Sequence, residues 1–177
     1  MSRTRVNFLV IISILCCLAA IYQLALMGYT FFHRFSYPFD LEWMEGGLLV
    51  HGKRLAEGSS IYPEPSIEFI PYLYTPLYPT LLAIFNYAVD ISYQVGRAIS
   101  IISLVVLFWQ MYKDITYRVA PEEKPIARMG WLMGLGVIAA SYPYMEGWFD
   151  IVRADTCLLY TSPSPRDATL SRMPSSA

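Results

Sequence analysis

The sequence predicts an all-α integral membrane protein, with about three transmembrane helices and further helices on the outer face between the first two. Three observations predict this fold. Hydrophobic residues make up 55% of the 177 residues and charged residues only 15%, and the mean hydropathy is positive. Residues 6–32 carry no charge, and this run exceeds the roughly 20 apolar residues that a spanning helix needs. Tyrosine, which gathers where a membrane meets water, occurs 14 times.

Composition also excludes two classes of protein. A net charge of −1 leaves no basic surface with which to neutralise nucleic-acid phosphates. Cys16 and Cys17 are adjacent inside the first apolar run, and Cys157 stands alone. Neither a disulfide framework nor a zinc-binding spacing is therefore expected.

The predicted spans cover residues 6–32, 96–113 and 128–146. Basic residues lie before the first span and between the second and third, at Arg3, Arg5, Lys113, Arg118, Lys124 and Arg128. Because such residues remain on the cytoplasmic side, the N-terminus and the basic loop are predicted to be cytoplasmic. Residues 33–95 then form an outer loop, and the protein lies in the cell (inner) membrane as a multi-pass chain.

The apolar stretch at residues 72–89 is not predicted to cross the membrane. Pro71, Pro76 and Pro79 lack amide donors and restrict their predecessors, so a regular helix is expected only from about Thr80. Roughly ten apolar residues then remain before Asp90, about half of a crossing. Counting this stretch as a span would also place the basic loop outside. We therefore expect it to form a helix in the outer interface.

This topology brings two charged segments to the same face. The first segment, "DLEWME", carries Asp40, Glu42 and Glu45 directly after the first span. The second, "EGWFDIVRAD", follows the third span and carries Asp150, Arg153 and Asp155. The sequence thus predicts that acids distant along the chain converge at one end of the helices.

The last residues differ from the rest in composition. Residues 160–177 are rich in Ser and Pro, with scattered Arg and no hydrophobic period. Such a segment buries too little apolar surface to order itself. It is expected to be a disordered tail or, in the interpretation that we favour, a foreign stretch that interrupts a longer native protein after about residue 159.

The order of motifs resembles the N-terminal half of GT-C type membrane glycosyltransferases. Their members include protein O-mannosyltransferases, the aminoarabinose transferase of lipid A and RgtA/B/C/D-like enzymes. Over residues 5–159 the chain shows in turn "WMEGG", "RLAEG", "TPLYP" and "VGRAISIIS", followed by "DIVRADT". Glu45 matches one acid of the acidic pair of this family. Met44 stands where the other acid is usual, and Asp40 and Glu42 are the nearby candidates for its role.

The resemblance implies a transferase that takes a sugar from a polyprenyl-phosphate donor in the bilayer and passes it to a glycan, lipid or protein acceptor on the extracytoplasmic face. Glu45, Asp40 and Glu42 are the candidate catalytic acids. The candidate residues on the donor-phosphate side are Asp150, Arg153, Asp155 and Arg97. A divalent metal held by acids is an open alternative to cationic side chains for stabilising the leaving phosphate.

Structural roles compete with these assignments, and an ion-pair cluster on a turn explains Asp150, Arg153 and Asp155 as well as a binding role does. Glu45 is equally suited to the first turn of a helix, where the dipole favours an acid, and Asp40 to a helix cap. Arg97 is better explained by an anchor at the membrane interface than by a phosphate ligand. His51 is expected to be solvated. The rival function is a non-enzymatic membrane protein, such as a transporter or an assembly factor.

Overall fold

A computed structural model describes residues 3–153, with side chains from residue 7 onward. These residues form helices and no strand. The predicted tail, together with Asp155 and Cys157, lies outside the described residues. The α-helices are α1 (Arg3–Phe35), α2 (Glu45–Ala56), α3 (Leu77–Phe85), α4 (Tyr93–Tyr117) and α5 (Lys124–Ser141), and 3₁₀ turns cover Pro121–Glu123 and Tyr142–Met145.

Two of the described helices are long and apolar enough to cross a membrane by length and composition, namely α1 (over Asn7–Phe35) and α4. They correspond to the first two predicted spans. Only 6% of the most apolar stretch of α1 is buried inside the protein, against 28% for α4. The third predicted span corresponds to α5 and the following turn. Because α5 has 18 residues and carries Lys124 and Arg128 in its first turns, it does not pass the same criterion, and the third span stays a prediction.

The three long helices, α1, α4 and α5, alternate in direction. Gly136 of α5 lies against Ala20 of α1, and further along both helices Tyr142 packs on Phe31, so α1 and α5 are parallel. The indole of Trp131, near the start of α5, donates a hydrogen bond to the carbonyl of Phe108, near the end of α4. Helix α4 is therefore antiparallel to its two neighbours. The basic loop lies at one end of this bundle, and the segment after α1 lies at the other.

Helix α3 confirms that the proline-rich stretch forms no long helix. With nine residues, it is about 14 Å long, less than half of a hydrocarbon core. It begins at Leu77, earlier than the expected Thr80, because Pro79 falls in the first turn, where amide groups have no intrahelical acceptor. Tyr78 and Leu82 of α3 are fully buried with Leu48 of α2. Whether α3 rests in the outer interface stays a prediction.

The buried apolar residues form two clusters at different levels of the bundle. The first joins α1, α4 and α5, and the second packs α2 and α3 on the start of α4. The members of the first are Met27, Phe31, Leu104, Ala139, Tyr142 and Phe149, and those of the second are Leu48, Leu49, Tyr78, Leu82, Ile91, Ile99 and Val152. Val152 belongs to the second cluster, so the segment after α5 is part of the cap formed by α2 and α3.

Gly136 allows α1 and α5 to approach closely. A Cβ atom added at this position would lie 2.4 Å from the Cβ of Ala20 and 2.5 Å from its Cα, which is backbone and cannot rotate away. We expect Gly136→Val to lower the free energy of unfolding by about 1–3 kcal/mol, as overpacking does. The measurement is equilibrium unfolding in detergent micelles. Gly134→Val is the matched control, because nothing lies within 4 Å of a Cβ atom built there; an equal loss in both variants would contradict the close contact.

Candidate functional site

Glu45 lies at the first position of α2 and is fully buried. Its Oε1 accepts hydrogen bonds from Nε of Arg97 at 3.1 Å and from the amide of Val152 at 2.9 Å. Its Oε2 accepts from Nη2 of Arg97 at 2.8 Å and from the amide of Leu41 at 2.6 Å. Both carboxylate oxygens are therefore occupied by protein donors, and this side chain has no surface at which a substrate can reach it.

Arg97, in the first turns of α4, is the partner of Glu45 and is equally buried. Besides the paired contact with Glu45, its guanidinium donates to the backbone carbonyls of Arg34 at 3.1 Å, Tyr37 at 2.6 Å and Phe39 at 2.8 Å. These carbonyls belong to the end of α1 and to the segment that leads to α2. Arg97 thus fixes the path of that segment, and its donors are all directed to the protein.

Asp40 is the exposed acid of the first segment. Its Oδ1 accepts a hydrogen bond from the amide of Gly46 at 2.8 Å, and the hydroxyl of Tyr93 also lies near Gly46. The carboxylate is held at the start of α2 and keeps a face toward solvent.

Glu42 lies between the two charged segments. Its Oε2 accepts a hydrogen bond from the amide of Met44 at 3.1 Å and is 3.7 Å from Nη1 of Arg153. The guanidinium of Arg153 in turn covers the ring of Trp148, with 3.9 Å between its carbon and the ring centroid. The contacts Glu42–Arg153 and Glu45–Val152 confirm that the segments after α1 and α5 meet at one end of the bundle.

Asp150 is buried beside two residues that the sequence analysis did not single out, Arg34 and Tyr142. Its Oδ1 accepts a hydrogen bond from the Tyr142 hydroxyl at 2.7 Å and is 3.3 Å from Nη1 of Arg34. Arg34 also donates to the Tyr142 hydroxyl. No hydrogen bond from another described residue reaches Oδ2 of Asp150. A signal for Arg34 existed, because an arginine at the predicted outer end of a span opposes the positive-inside bias and calls for an acidic partner.

Burial raises the pKa of the Asp150 carboxyl, and Tyr142 and Arg34 offset this only in part. The folded protein therefore holds this proton to a higher pH than an unfolded aspartate does, whose pKa is about 3.9. The resulting contribution to stability is complete below pH ~3.9 and is lost as the pH rises through the raised folded pKa.

We accordingly expect the free energy of unfolding of the native protein, relative to Asp150→Asn, to fall as the pH is raised from about 4. Unfolding titrations in detergent at a series of pH values measure this difference. The exposed Asp90→Asn is the control for general effects of acid. A native protein that gains stability over Asp150→Asn with rising pH would contradict the raised pKa.

His51 shows that one expectation was wrong. It is buried on α2, with 2% of its surface exposed, whereas a solvated side chain was expected. Its Nε2 accepts a hydrogen bond from the amide of Tyr72 at 2.9 Å, so Nδ1 carries the proton and bonds the carbonyl of Gly47 at 2.7 Å. The ring also stacks on Tyr72. His51 thus ties the irregular segment before α3 to α2, which no local pattern in the sequence indicates.

Among residues 7–153, no group of three or more His, Cys, Asp or Glu side chains lies close enough together to hold a metal ion. The described carboxylates near Asp40 are engaged by protein donors or by Arg153. This part of the chain by itself therefore does not fit a divalent metal.

The fold and the site together define a helical protein with two helices of membrane-spanning length and a charged cluster at one end of them. Comparisons with protein-family models, curated proteins and solved structures find no match to the chain.

Proposed function

We propose that the protein acts as a membrane glycosyltransferase that moves a sugar from a polyprenyl-phosphate donor to an acceptor on the extracytoplasmic face. The observation that carries this proposal is the exposed carboxylate of Asp40 at one end of the apolar helices, with the partly covered carboxylate of Glu42 two residues further on. The buried pair of Glu45 and Arg97 holds the segment on which both lie.

The packing of the helices supports three membrane spans, and the membrane that we propose for them is the cell (inner) membrane. Helix α1 leaves most of its apolar surface uncovered, as a lipid-facing helix does. Helix α5 runs parallel to α1 and touches it through Gly136 and Ala20, the small-residue contact typical of helices in lipid. The charged cluster lies at the end opposite the basic loop, so a cytoplasmic loop places Asp40 and Glu42 outside.

In the proposed reaction, Asp40 accepts the proton of an acceptor hydroxyl while the hydroxyl oxygen attacks the anomeric carbon. The bond between that carbon and the phosphate oxygen breaks, and polyprenyl phosphate leaves with the electron pair. Glu42 assists from its place beside Arg153, whose cation is suited to the developing phosphate charge. Glu45 and Arg97 act as positioning residues, because each is fully buried and bonded to the protein.

Labelling from outside the cell tests the arrangement on which the proposal depends. Cys16, Cys17 and Cys157 are first replaced by serine, and single cysteines are then introduced as Ser60→Cys in the outer loop and Glu122→Cys in the basic loop. We expect a membrane-impermeant maleimide to label the first in intact cells and the second only after permeabilisation. Labelling of Glu122→Cys in intact cells would contradict the proposal, since Asp40 would then face the cytoplasm.

Transfer activity tests the reaction itself. Membranes containing the full-length gene product are incubated with radiolabelled polyprenyl-phosphate hexose or pentose, and sugar transfer to endogenous acceptors is measured. We expect transfer to exceed that of membranes lacking the protein. If no such donor is consumed while the labelling pattern holds, the rival interpretation of a non-enzymatic membrane protein is favoured.

A further inference from the structure

A row of aromatic side chains crosses α4 and α5 at the end of the bundle that carries the basic loop. The ring of Trp109 stacks on that of Tyr112, with 6.0 Å between the centroids, and Tyr112 meets Trp131 of α5 edge-on at 5.3 Å. Tryptophan and tyrosine favour the level at which lipid chains meet headgroups, because each joins an apolar ring to a polar edge. In a spanning α4, the aromatic row therefore lies at the level of the headgroups.

An apolar stripe on α4 leads to this row. Ile102, Val105 and Trp109 are 58%, 59% and 57% exposed. At about 100° per residue, these three positions and Lys113 fall within about 80° of one another around the helix. The stripe thus runs from aliphatic side chains through an indole to a cation. A phospholipid presents its chains, its glycerol and its phosphate in the same order.

Lys113 is held against the aromatic row. Its ammonium lies over the ring of Trp109, 5.6 Å from the centroid. Helical side chains lean toward the N-terminus of their helix, and in α4 that direction leads along the stripe, away from the basic loop. The ammonium therefore lies close to the apolar part of the helix, where water screens charges less than in the loop. An anion at this level is attracted more strongly than one in solution.

The cations at this end of the bundle have no carboxylate partner. Among residues 7–153, the three ion pairs lie in the charged cluster at the other end. None of them includes a cation of the basic loop, namely Lys113, Arg118, Lys124 or Arg128. Arg128 lies three residues before Trp131 and therefore shares its face of α5. Lys113 on α4 and Arg128 on α5 thus flank the aromatic row without an acid that neutralises them.

Three acids share this end of the bundle, and none lies on the stripe. Asp114 follows Lys113 on α4, so it lies about 100° further around the helix. Glu122 and Glu123 belong to the 3₁₀ turn beyond the end of α4. Lys113 lies four residues before the last residue of α4, and Arg128 four residues after the first residue of α5. An anion at the level of the aromatic row therefore meets these two cations before it meets the acids of the turn.

We propose that the stripe on α4 and the cations at its end bind an anionic phospholipid of the cytoplasmic leaflet. Its chains lie along Ile102 and Val105, its glycerol meets Trp109, and its phosphate pairs with Lys113 and Arg128. A zwitterionic lipid fits less well, because its choline or ethanolamine brings a further positive charge to these cations. The site depends on α4 as a span with the basic loop in the cytoplasm. It does not depend on sugar transfer and so goes beyond the proposed function.

Photolabelling of the full chain in phosphatidylcholine nanodiscs tests the site. Two probes, a phosphatidylglycerol and a phosphatidylcholine, carry the same diazirine in an acyl chain, and each is a minor component of the discs. We expect the phosphatidylglycerol probe to label residues 102–113 saturably and to be displaced by unlabelled phosphatidylglycerol but not by inorganic phosphate. The phosphatidylcholine probe should label them only in proportion to its amount.

Two variants locate the binding of the phosphatidylglycerol probe. Lys113→Gln should weaken its saturable binding about fivefold, the equivalent of about 1 kcal/mol for one cation near an anionic surface. Arg118→Gln is the matched control, because it removes the same charge from an exposed position beyond the end of α4. We expect it to weaken binding clearly less than Lys113→Gln does.

Four results would overturn the lipid site. Equal, saturable labelling by both probes would indicate binding of the chains alone, and displacement by inorganic phosphate would indicate a site for a free anion. Equal weakening in Lys113→Gln and Arg118→Gln would indicate a diffuse attraction to the surface. Labelling that spares residues 102–113 would indicate that protein covers the stripe.

Discussion

Replacing Arg97 with leucine is expected to lower the free energy of unfolding by about 3–5 kcal/mol, the typical loss when one partner of a buried ion pair is removed. The reason is that the fully buried Glu45 carboxyl would be left without its cationic partner. The carbonyls of Tyr37 and Phe39 would lose donors at the same time. Equilibrium unfolding in detergent micelles, followed by circular dichroism, measures the change.

A double-mutant cycle separates the contribution of the Glu45–Arg97 ion pair to the free energy of unfolding from the other effects of removing Arg97. We expect Glu45→Leu combined with Arg97→Leu to be less destabilising than the sum of the single variants, because the double variant leaves no unpaired charge. Lys53→Leu, an exposed cation on α2, is the control and should stay within about 0.5 kcal/mol of the native protein. If the stability losses of the two single variants add up to the loss of the double variant, Glu45 and Arg97 do not stabilise the protein through each other.

Asp40→Asn is expected to reduce sugar transfer by about 10²–10⁴-fold, the usual contribution of a general base. The amide keeps the shape of the side chain and can still accept from Gly46, but it cannot take up the proton of the acceptor. The rate of transfer from radiolabelled polyprenyl-phosphate sugar, measured per mole of protein in membranes, gives the effect. Stability should change by about 1 kcal/mol or less, as for similar caps.

Two further variants show whether a loss of sugar transfer in Asp40→Asn is specific to that residue. Glu57→Gln, an exposed acid at the end of α2, is the matched control and should transfer sugar at the native rate. Glu42→Gln tests the assisting role of Glu42. We expect it to reduce the rate of sugar transfer less than Asp40→Asn does. Native transfer rates in both Asp40→Asn and Glu42→Gln would remove the assignment of the base and leave the fold unaffected.

Glu45 and Arg97 show most clearly which features the sequence predicts and which only the structure reveals. The residue type and position of each indicate an unusual role in a chain this apolar. The sequence does not indicate that they pair, because 52 positions separate them along the chain and no local period links them. Position near a membrane edge suits a catalytic group, an anchor and a buried ion pair alike. Only the three-dimensional contacts distinguish these roles.

The same conclusion follows from Arg34, Tyr142 and His51, which are not among the candidate site residues of the sequence. Nothing in the sequence neighbourhood of Tyr142 or His51 distinguishes it from ordinary interface residues. The position of Arg34 at the end of a predicted span indicates only that it needs an acidic partner, without indicating which one. The importance of all three comes from partners on other segments: Asp150 for the first two, and the backbone of Tyr72 for His51. A buried polar group must find a partner, but the sequence does not say which of several distant groups will be in reach.

The sequence by itself determined the helical class, the positions of the long apolar helices and the short helix after the prolines. These follow from local causes, since apolar run length, charge and proline geometry act within a few residues. The tertiary structure alone decided which charges are buried in pairs and which stay accessible. That outcome depends on how α2 and the segment after α5 pack on the start of α4, where desolvation makes every unpaired charge costly.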